Sequence, residues 1–102
     1  MTPLHRDVRL GVLGHLAGRK HFTVFPPHQA EALYVRPGFD SYQLCWVDPR
    51  RPDAVRFPRF REAKGIDFVL APGELLVQPL GWFHCVSTPD PLTASVSYFA
   101  LF

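Results

Sequence analysis

The sequence predicts a mostly all-β fold, an antiparallel sandwich or open barrel built from short strands. Six segments of the 102-residue chain carry the apolar or alternating patterns typical of strands, and turn-forming residues separate them. Eleven prolines and seven glycines suit short strands with irregular connections better than a helical bundle. A hydrophobic content of 47%, with nine Phe, two Trp and three Tyr, argues against a disordered chain.

The first two strand segments are predicted to form a hairpin. Residues 8–17 and 20–25 are apolar and β-branched runs, and the glycine-containing pair Gly18-Arg19 separates them. Pro26-Pro27 ends the second strand, because proline has no amide hydrogen to donate to a neighbouring strand.

A long connection and four further strands follow. Residues 28–34 contain enough helix formers for one or two helical turns, whereas proline-containing turn signals predict a long loop over 35–56. A second short helix is predicted at 58–64. The remaining strands are predicted at 66–70, 75–78, 82–87 and 92–101.

Length, charge and cysteine content limit the class of protein. A chain of 102 residues is expected to form a single domain, 1–102, and its net charge of +2 is too small to indicate a nucleic-acid binder by itself. The sequence has neither an apolar stretch of membrane-spanning length nor the regions of a signal peptide. We therefore expect a cytoplasmic location, with Cys45 and Cys85 reduced rather than disulfide-bonded.

A His-x-Asp motif near the amino terminus is the main candidate for chemistry. On an extended strand His5 and Asp7 would point into one cavity while Arg6 points away. A third donor from a neighbouring strand would complete the set, and His84 in Gly-Trp-Phe-His lies in a segment of strong strand character. Two imidazoles and a carboxylate can bind one face of a divalent metal and leave the opposite positions open, as in non-haem iron(II) oxygenases. A motif this short also arises by chance, and the surrounding sequence is needed to support its assignment as a metal site.

Eight segments occur in the order and approximate spacing of the JmjC-type cupin hydroxylases. They are Thr2-Pro-Leu-His-Arg-Asp, Gly18-Arg-Lys-His-Phe-Thr-Val-Phe-Pro-Pro, Ala32-Leu-Tyr, Val47-Asp-Pro, Arg56-Phe-Pro-Arg-Phe, Ala71-Pro-Gly-Glu-Leu-Leu-Val-Gln-Pro, Gly81-Trp-Phe-His and Ser95-Val-Ser-Tyr-Phe. The chain resembles this family over nearly its whole length, and most of all the branch with factor-inhibiting-HIF and the Jumonji arginyl hydroxylases. The resemblance implies a double-stranded β-helix of the cupin or jelly-roll type, with a long loop and one or two short helices. It also implies an Fe(II)- and 2-oxoglutarate-dependent dioxygenase that hydroxylates a protein side chain or another small target.

The resemblance assigns site residues by position. His5, Asp7 and His84 match the iron ligands, Lys20 matches the lysine that binds the far carboxylate of 2-oxoglutarate, and Thr2 matches a hydroxyl that assists it. The chemistry of the sequence agrees for Lys20, because a cation buried among apolar residues needs an anion. The alternative to these roles is that Lys20 is an exposed lysine at a turn and that His84 is a structural histidine of the core or of a strand edge. The histidines without such support are expected to be structural: His15, His21 and His28.

Departures from the family pattern leave a second interpretation open. Gly11 stands where related enzymes often carry an asparagine that contacts the cosubstrate, and Phe99 and Leu101 replace polar and tryptophan positions of the last strand. His5 lies so near the start of the chain that the family's N-terminal elements are expected to be absent. The alternative function is a catalytically inactive cupin domain that binds a metal or a partner protein.

Two surface features concern partners. The strand after the motif has an apolar stripe on its outer face, which we expect a second copy or another chain to cover: Val8, Leu10, Val12 and Leu16. A basic run is predicted to be a solvated loop, with a nucleic-acid or acidic-substrate surface as the alternative: Arg50, Arg51, Arg56, Arg59, Arg61 and Lys64.

Overall fold

The computed structural model describes residues 2–7, 10–37 and 42–100, which form two antiparallel sheets and a few short helices. The helices are a 3₁₀ helix at Pro27–Gln29, α1 at Ala30–Leu33 and a second 3₁₀ helix at Pro58–Glu62. None of the helices in these ranges is long and apolar enough to span a bilayer. The strands, β1 to β8 in chain order, are His5–Asp7, Leu10–Ala17, Lys20–Phe25, Tyr42–Leu44, Ile66–Leu70, Leu75–Gln78, Phe83–Ser87 and Ala94–Ala100.

The two sheets share a common interior. The larger sheet has the strand order β4-β1-β7-β3-β5 and the smaller one the order β6-β2-β8. Side chains from both sheets line one internal cavity, among them Phe22 and His84 from the larger sheet and Leu13 and Ser97 from the smaller. The mostly β, cupin-like fold predicted from the sequence is confirmed.

The predicted hairpin of β2 and β3 is wrong. β2 pairs with β6 and β8 in the smaller sheet, whereas β3 pairs with β5 and β7 in the larger one. The turn between them is real, since Gly18 has a φ of 74° that favours glycine. A tight turn leaves open whether the next strand pairs with the previous one or crosses to the facing sheet, and here it crosses.

The long loop predicted over 35–56 contains a strand. Tyr42–Leu44 pairs with β1, with Gln43 opposite Arg6. Three residues are too few to show the alternation that marks a strand in a sequence. The strand therefore depends on its partner β1, which supplies the hydrogen bonds.

The hydrophobic core lies on the outer face of the larger sheet, beneath the segment that contains the helices. Strand β7 alternates, so that Phe83 and Cys85 point into this core while His84 points to the interior between the sheets. The buried side chains of the core are Leu4, Phe25, Leu33, Cys45, Val47, Phe83 and Cys85. Their packing fixes the backbone that carries the candidate site.

The outer face of the smaller sheet is apolar and exposed. Leu10 and Val12 are half-buried and Leu16 is 62% exposed, whereas Val8 lies outside the described residues. Neighbouring strands add further apolar side chains to the same face, opposite Val12 and Gly14. The residues of this outer apolar face are Leu16, Leu75, Val77, Val96 and Tyr98.

Candidate functional site

The three predicted metal ligands converge on the inner face of the larger sheet. His5 on β1 is the register partner of His84 on β7, and Asp7 lies two residues further along β1. The ring centroids of the two histidines are 4.2 Å apart, and His84 Nε2 lies 3.8 Å from Asp7 Oδ2. One donor atom from each of the three residues lies within 4.8 Å of the other two.

Arg6 points to the opposite face of β1, as a period of two requires. Its Nε donates a hydrogen bond of 2.7 Å to Gln43 Oε1, and its guanidinium lies 4.8 Å from the centre of the Phe83 ring. These contacts hold β1 between its two neighbouring strands. The same alternation keeps the cation away from His5 and Asp7.

The hydrogen bond of His5 orients its ring. Nδ1 lies 2.8 Å from the carbonyl oxygen of Pro3, so that nitrogen donates its proton to the backbone. With the proton on Nδ1, the lone pair of the ring lies on Nε2, the nitrogen that would bind an ion. Metal-binding histidines commonly use their second nitrogen in this way.

Burial keeps the second imidazole neutral. Burial, with a smaller contribution from the nearby His5 ring, lowers the pKa of His84 to about 4, while Asp7 acts in the opposite direction. At neutral pH the ring therefore carries no charge and keeps a lone pair for a cation. The donor set of two imidazoles and one carboxylate fits a divalent ion such as Fe(II), with coordination positions left for other ligands.

No other group of three or more His, Cys, Asp or Glu residues in the described ranges could hold a metal ion. His15 is instead buried and hydrogen-bonded, with Nδ1 2.8 Å from Ser95 Oγ and Nε2 donating to the Gly18 carbonyl. His21 on β3 is exposed, and its Nε2 lies 3.8 Å from Asp67 Oδ1 on the neighbouring β5. The histidines expected to be structural thus lie outside the triad.

A cavity of about 300 Å³ opens beside the triad and contains the remaining predicted site residues. Thr2 and Lys20 line it together with His5, Asp7 and His84. Lys20 is half-buried and makes no ion pair with any carboxylate of the described residues. A half-buried ammonium without a counterion favours binding of an anion.

Thr2 is fixed on β7 next to the triad. Its amide donates to the Val86 carbonyl and its Oγ1 accepts from the Val86 amide, both at 2.9 Å. The hydroxyl hydrogen is not used by that pair and is available to a ligand carboxylate. One backbone hydrogen bond and one to the Thr2 side chain thus continue the pairing of β1 with β7 to the start of the described chain.

The turn that leads into Lys20 is held from two sides. The Gly18 carbonyl accepts from His15, and the Arg19 amide donates to Asp90 Oδ2 at 2.8 Å. Arg19 also pairs with Asp90 through its guanidinium, which lowers the pKa of Asp90 to about 2. These contacts fix the start of β3 and hence the position of the lysine.

Sequence reasoning did not identify Gln78, which lines the cavity from β6. The alternation of Leu75–Gln78 contains the signal, because Leu76 and Gln78 share the inner face. Gly11 lies opposite Gln78 on β2 and is buried, so this position offers no side chain to a ligand. The side chain of Phe99 and the whole of Leu101 fall outside the described residues.

The basic run makes contacts within the chain. Arg59 forms ion pairs with Glu31 at 2.9 Å and with Glu62 at 3.3 Å. Arg50 pairs with Asp48 and donates to the Thr2 carbonyl at 3.0 Å. A nucleic-acid surface formed by this run stays an alternative prediction.

Comparisons with known proteins agree with the resemblance. The model of the cupin-like domain matches residues 1–99. The chain is 33% identical over 99 residues to lysine-specific demethylase 8 of Xenopus tropicalis, covering 97% of this chain and 22% of that protein. It is 34% identical over 99 residues to HSPB1-associated protein 1 of Bos taurus (94% and 20%) and 33% identical over 102 residues to JmjC domain-containing protein D of Dictyostelium discoideum (97% and 22%). The chain thus spans about a fifth of the length of these relatives.

Proposed function

The chain belongs to the JmjC-type cupin family, and from this premise we propose that it is an Fe(II)- and 2-oxoglutarate-dependent dioxygenase domain. In this proposal it hydroxylates a C–H bond of a protein side chain or another small target. The single observation that supports it best is the convergence of His5, Asp7 and His84 at a cavity that also contains Lys20. A metal triad and an unpaired cation in one cavity match a site for an ion and an anionic cosubstrate.

The proposed reaction balances in atoms and electrons. One atom of O₂ enters the C–H bond to give an alcohol, and the other enters succinate, while the first carbon of 2-oxoglutarate leaves as CO₂. Bound Fe(II) would supply the activation of O₂ and the chelation of the keto acid. His5, Asp7 and His84 would hold that ion from one side and leave the other side accessible.

The remaining residues bind and orient. Lys20 would pair with the carboxylate of 2-oxoglutarate that is remote from the keto acid, and the Thr2 hydroxyl would donate to the same group. The buried His84 stays neutral at physiological pH, so a proton does not compete with the metal ion for its ring nitrogen. We place this chemistry in the cytoplasm, since the buried free thiols of Cys45 and Cys85 suit a reducing compartment.

Gly11 favours the second candidate, a catalytically inactive cupin domain that binds a metal or a partner protein. This buried position lies on the inner side of β2 and has no side-chain amide to offer to the cosubstrate. The two candidates differ in whether 2-oxoglutarate binds the loaded triad. They therefore separate in one titration.

The experiment is anaerobic addition of Fe(II) and then 2-oxoglutarate, followed through the visible charge-transfer band of the chelate. Admission of air should then release succinate. A folded protein that binds Fe(II) but develops no band would reject the dioxygenase and leave the inactive domain.

Two variants test the assigned roles. His84→Ala should abolish Fe(II) binding. Lys20→Ala should retain Fe(II) binding and weaken the affinity for 2-oxoglutarate by about tenfold or more, because a charge-assisted hydrogen bond is lost. Lys64→Ala is the matched control, because Lys64 is an exposed lysine outside the cavity. Equal loss of both ligands in Lys20→Ala would contradict the role of that lysine.

A further inference from the structure

A second cavity of about 240 Å³ meets the first at the triad. It lies between the inner faces of β5 and β6, near the start of β7. Gln78 and His84 line both cavities, so each of them has access to the same imidazole. The volume is below the range of about 300 to 1,000 Å³ that is usual for drug-sized ligands, which suits a single side chain.

The walls of the second cavity are apolar. They are formed by Val24 and Phe68 from the larger sheet, by Leu76 from the smaller sheet and by the Trp82 ring. Phe68 is held in place because it stacks on the buried Phe22, with ring centroids 5.3 Å apart and planes 6° from parallel.

Among the described residues that line it, none is Lys, Arg, Asp or Glu. The first cavity, in contrast, contains Asp7 and Lys20. The polar and apolar parts of the interior are thus divided at Gln78 and His84.

We propose that the second cavity binds a neutral aliphatic side chain of the substrate and so selects the group presented to the triad. This inference rests on the proposed function for its place in the reaction, but the binding itself needs neither iron nor 2-oxoglutarate. Burial of an aliphatic group against Phe68, Leu76 and Trp82 is favourable in proportion to the apolar area removed from water. A methylene-rich side chain of the size of leucine or isoleucine fits within this volume and is complementary to the apolar walls.

A cationic side chain is the main competitor, since the face of Trp82 could attract it. Such a cation would enter the cavity without a carboxylate to neutralise it, and an unpaired buried charge is costly. Anionic side chains meet the same cost without the compensation from the ring. The chemistry of the walls therefore favours the neutral ligand.

Fluorescence of Trp82 provides a readout that is independent of catalysis. Trp46→Phe removes the other tryptophan, which is 52% exposed and lies under Arg36 rather than in the cavity. N-acetyl-leucinamide, N-acetyl-argininamide and N-acetyl-aspartamide are titrated into this metal-free chain. We expect the leucine probe to shift the emission at about tenfold lower concentration than either charged probe, as expected for burial of one aliphatic side chain.

Two variants at adjacent positions of β6 sharpen the test. Leu76→Glu places a carboxylate in the cavity and should reverse the order, so that the arginine probe binds better than the leucine probe. Leu75→Glu is the matched control, because its side chain is 72% exposed on the opposite face and should leave the order unchanged. If Leu76→Glu does not fold, Leu76→Ala tests the same wall, because it should weaken binding of the leucine probe severalfold.

The outcomes separate this inference from the proposed function. Stronger binding of the arginine probe to the Trp46→Phe chain, or no response of Trp82 to any probe, would overturn the inference even if the iron chelate band forms. Leucine selectivity without a chelate band would keep the binding site and reject the dioxygenase.

Discussion

His5 and His84 face each other across β1 and β7 as register partners, with ring centroids 4.2 Å apart and Asp7 within reach of both. Three donor groups this close together favour a shared divalent ion, and the buried His84 ring is neutral because burial lowers its pKa to about 4. The hydrogen bond from His5 Nδ1 to the Pro3 carbonyl orients the His5 ring without a bound ion. Ion binding should therefore be linked to folding stability.

Mn(II), used as a redox-stable probe, should raise the melting temperature of the chain. An ion at one hundred times its dissociation constant adds about 2.7 kcal/mol to the folded state. For a domain of this length that corresponds to a shift on the order of 10 °C. His5→Ala should lose the shift, while His28→Ala, an exposed histidine outside the triad, should retain it. Equal shifts for both variants would remove the triad as the site.

A second expectation concerns the turn before Lys20. Gly18 has a φ of 74°, and a Cβ added there would overlap the Leu92 carbonyl and the Thr93 side chain. Gly73 has a φ of 91° but open space around it. Gly73→Ala should cost about 1 kcal/mol in free energy of unfolding and Gly18→Ala about 2 to 4 kcal/mol, because only the latter adds a clash to the backbone strain. Urea denaturation of both variants measures the difference, and equal costs would contradict the crowding at Gly18.

Much of the fold followed from local patterns. β3, β5 and β6 have the ends that alternation and turn residues predicted, and the i, i+2 argument correctly separated His5 and Asp7 from Arg6. What local patterns could not supply was the pairing. Gly18 marks a turn whether the chain folds back or crosses to the facing sheet, and the three residues of β4 gain their strand structure only from β1.

The site shows the same limit. Convergence of residues 5, 7 and 84 needs the antiparallel register of β1 and β7, which neither segment specifies alone. The resemblance supplied that information. The apolar cavity at Trp82 had no local signal, because its walls come from four separate segments of the chain.

The two thiols should be unreactive in the folded protein. Cys45 and Cys85 are buried, and burial raises the pKa of Cys45 to about 12 and also raises that of Cys85. Because the thiolate is the reactive form, almost none is present at pH 8. Cys85 lies on β7 and Cys45 directly follows β4, the two strands on either side of β1. Their backbones are therefore two strand spacings apart, roughly 9 to 10 Å, which is too far for a disulfide.

Alkylation by iodoacetamide followed by mass spectrometry tests this expectation. At pH 8 both cysteines should react only after unfolding in guanidinium chloride. Rapid modification of the native chain at either position would show that the core around Leu4 opens readily.

The outer apolar face of the smaller sheet should make the chain self-associate. Its five exposed side chains, Leu16, Leu75, Val77, Val96 and Tyr98, leave roughly 600 Å² of surface per copy, so two copies would bury about 1,200 Å², the lower end of specific interfaces. Since all five side chains are uncharged, the face is complementary to itself in a two-fold arrangement. We therefore expect a weak dimer in sedimentation velocity at tens of micromolar. Tyr98→Lys should shift it to monomer because two copies would then oppose like charges, whereas Val55→Lys, on a residue that is 91% exposed outside this face, should not. A chain that stays monomeric and fully folded at these concentrations would contradict self-association through this face.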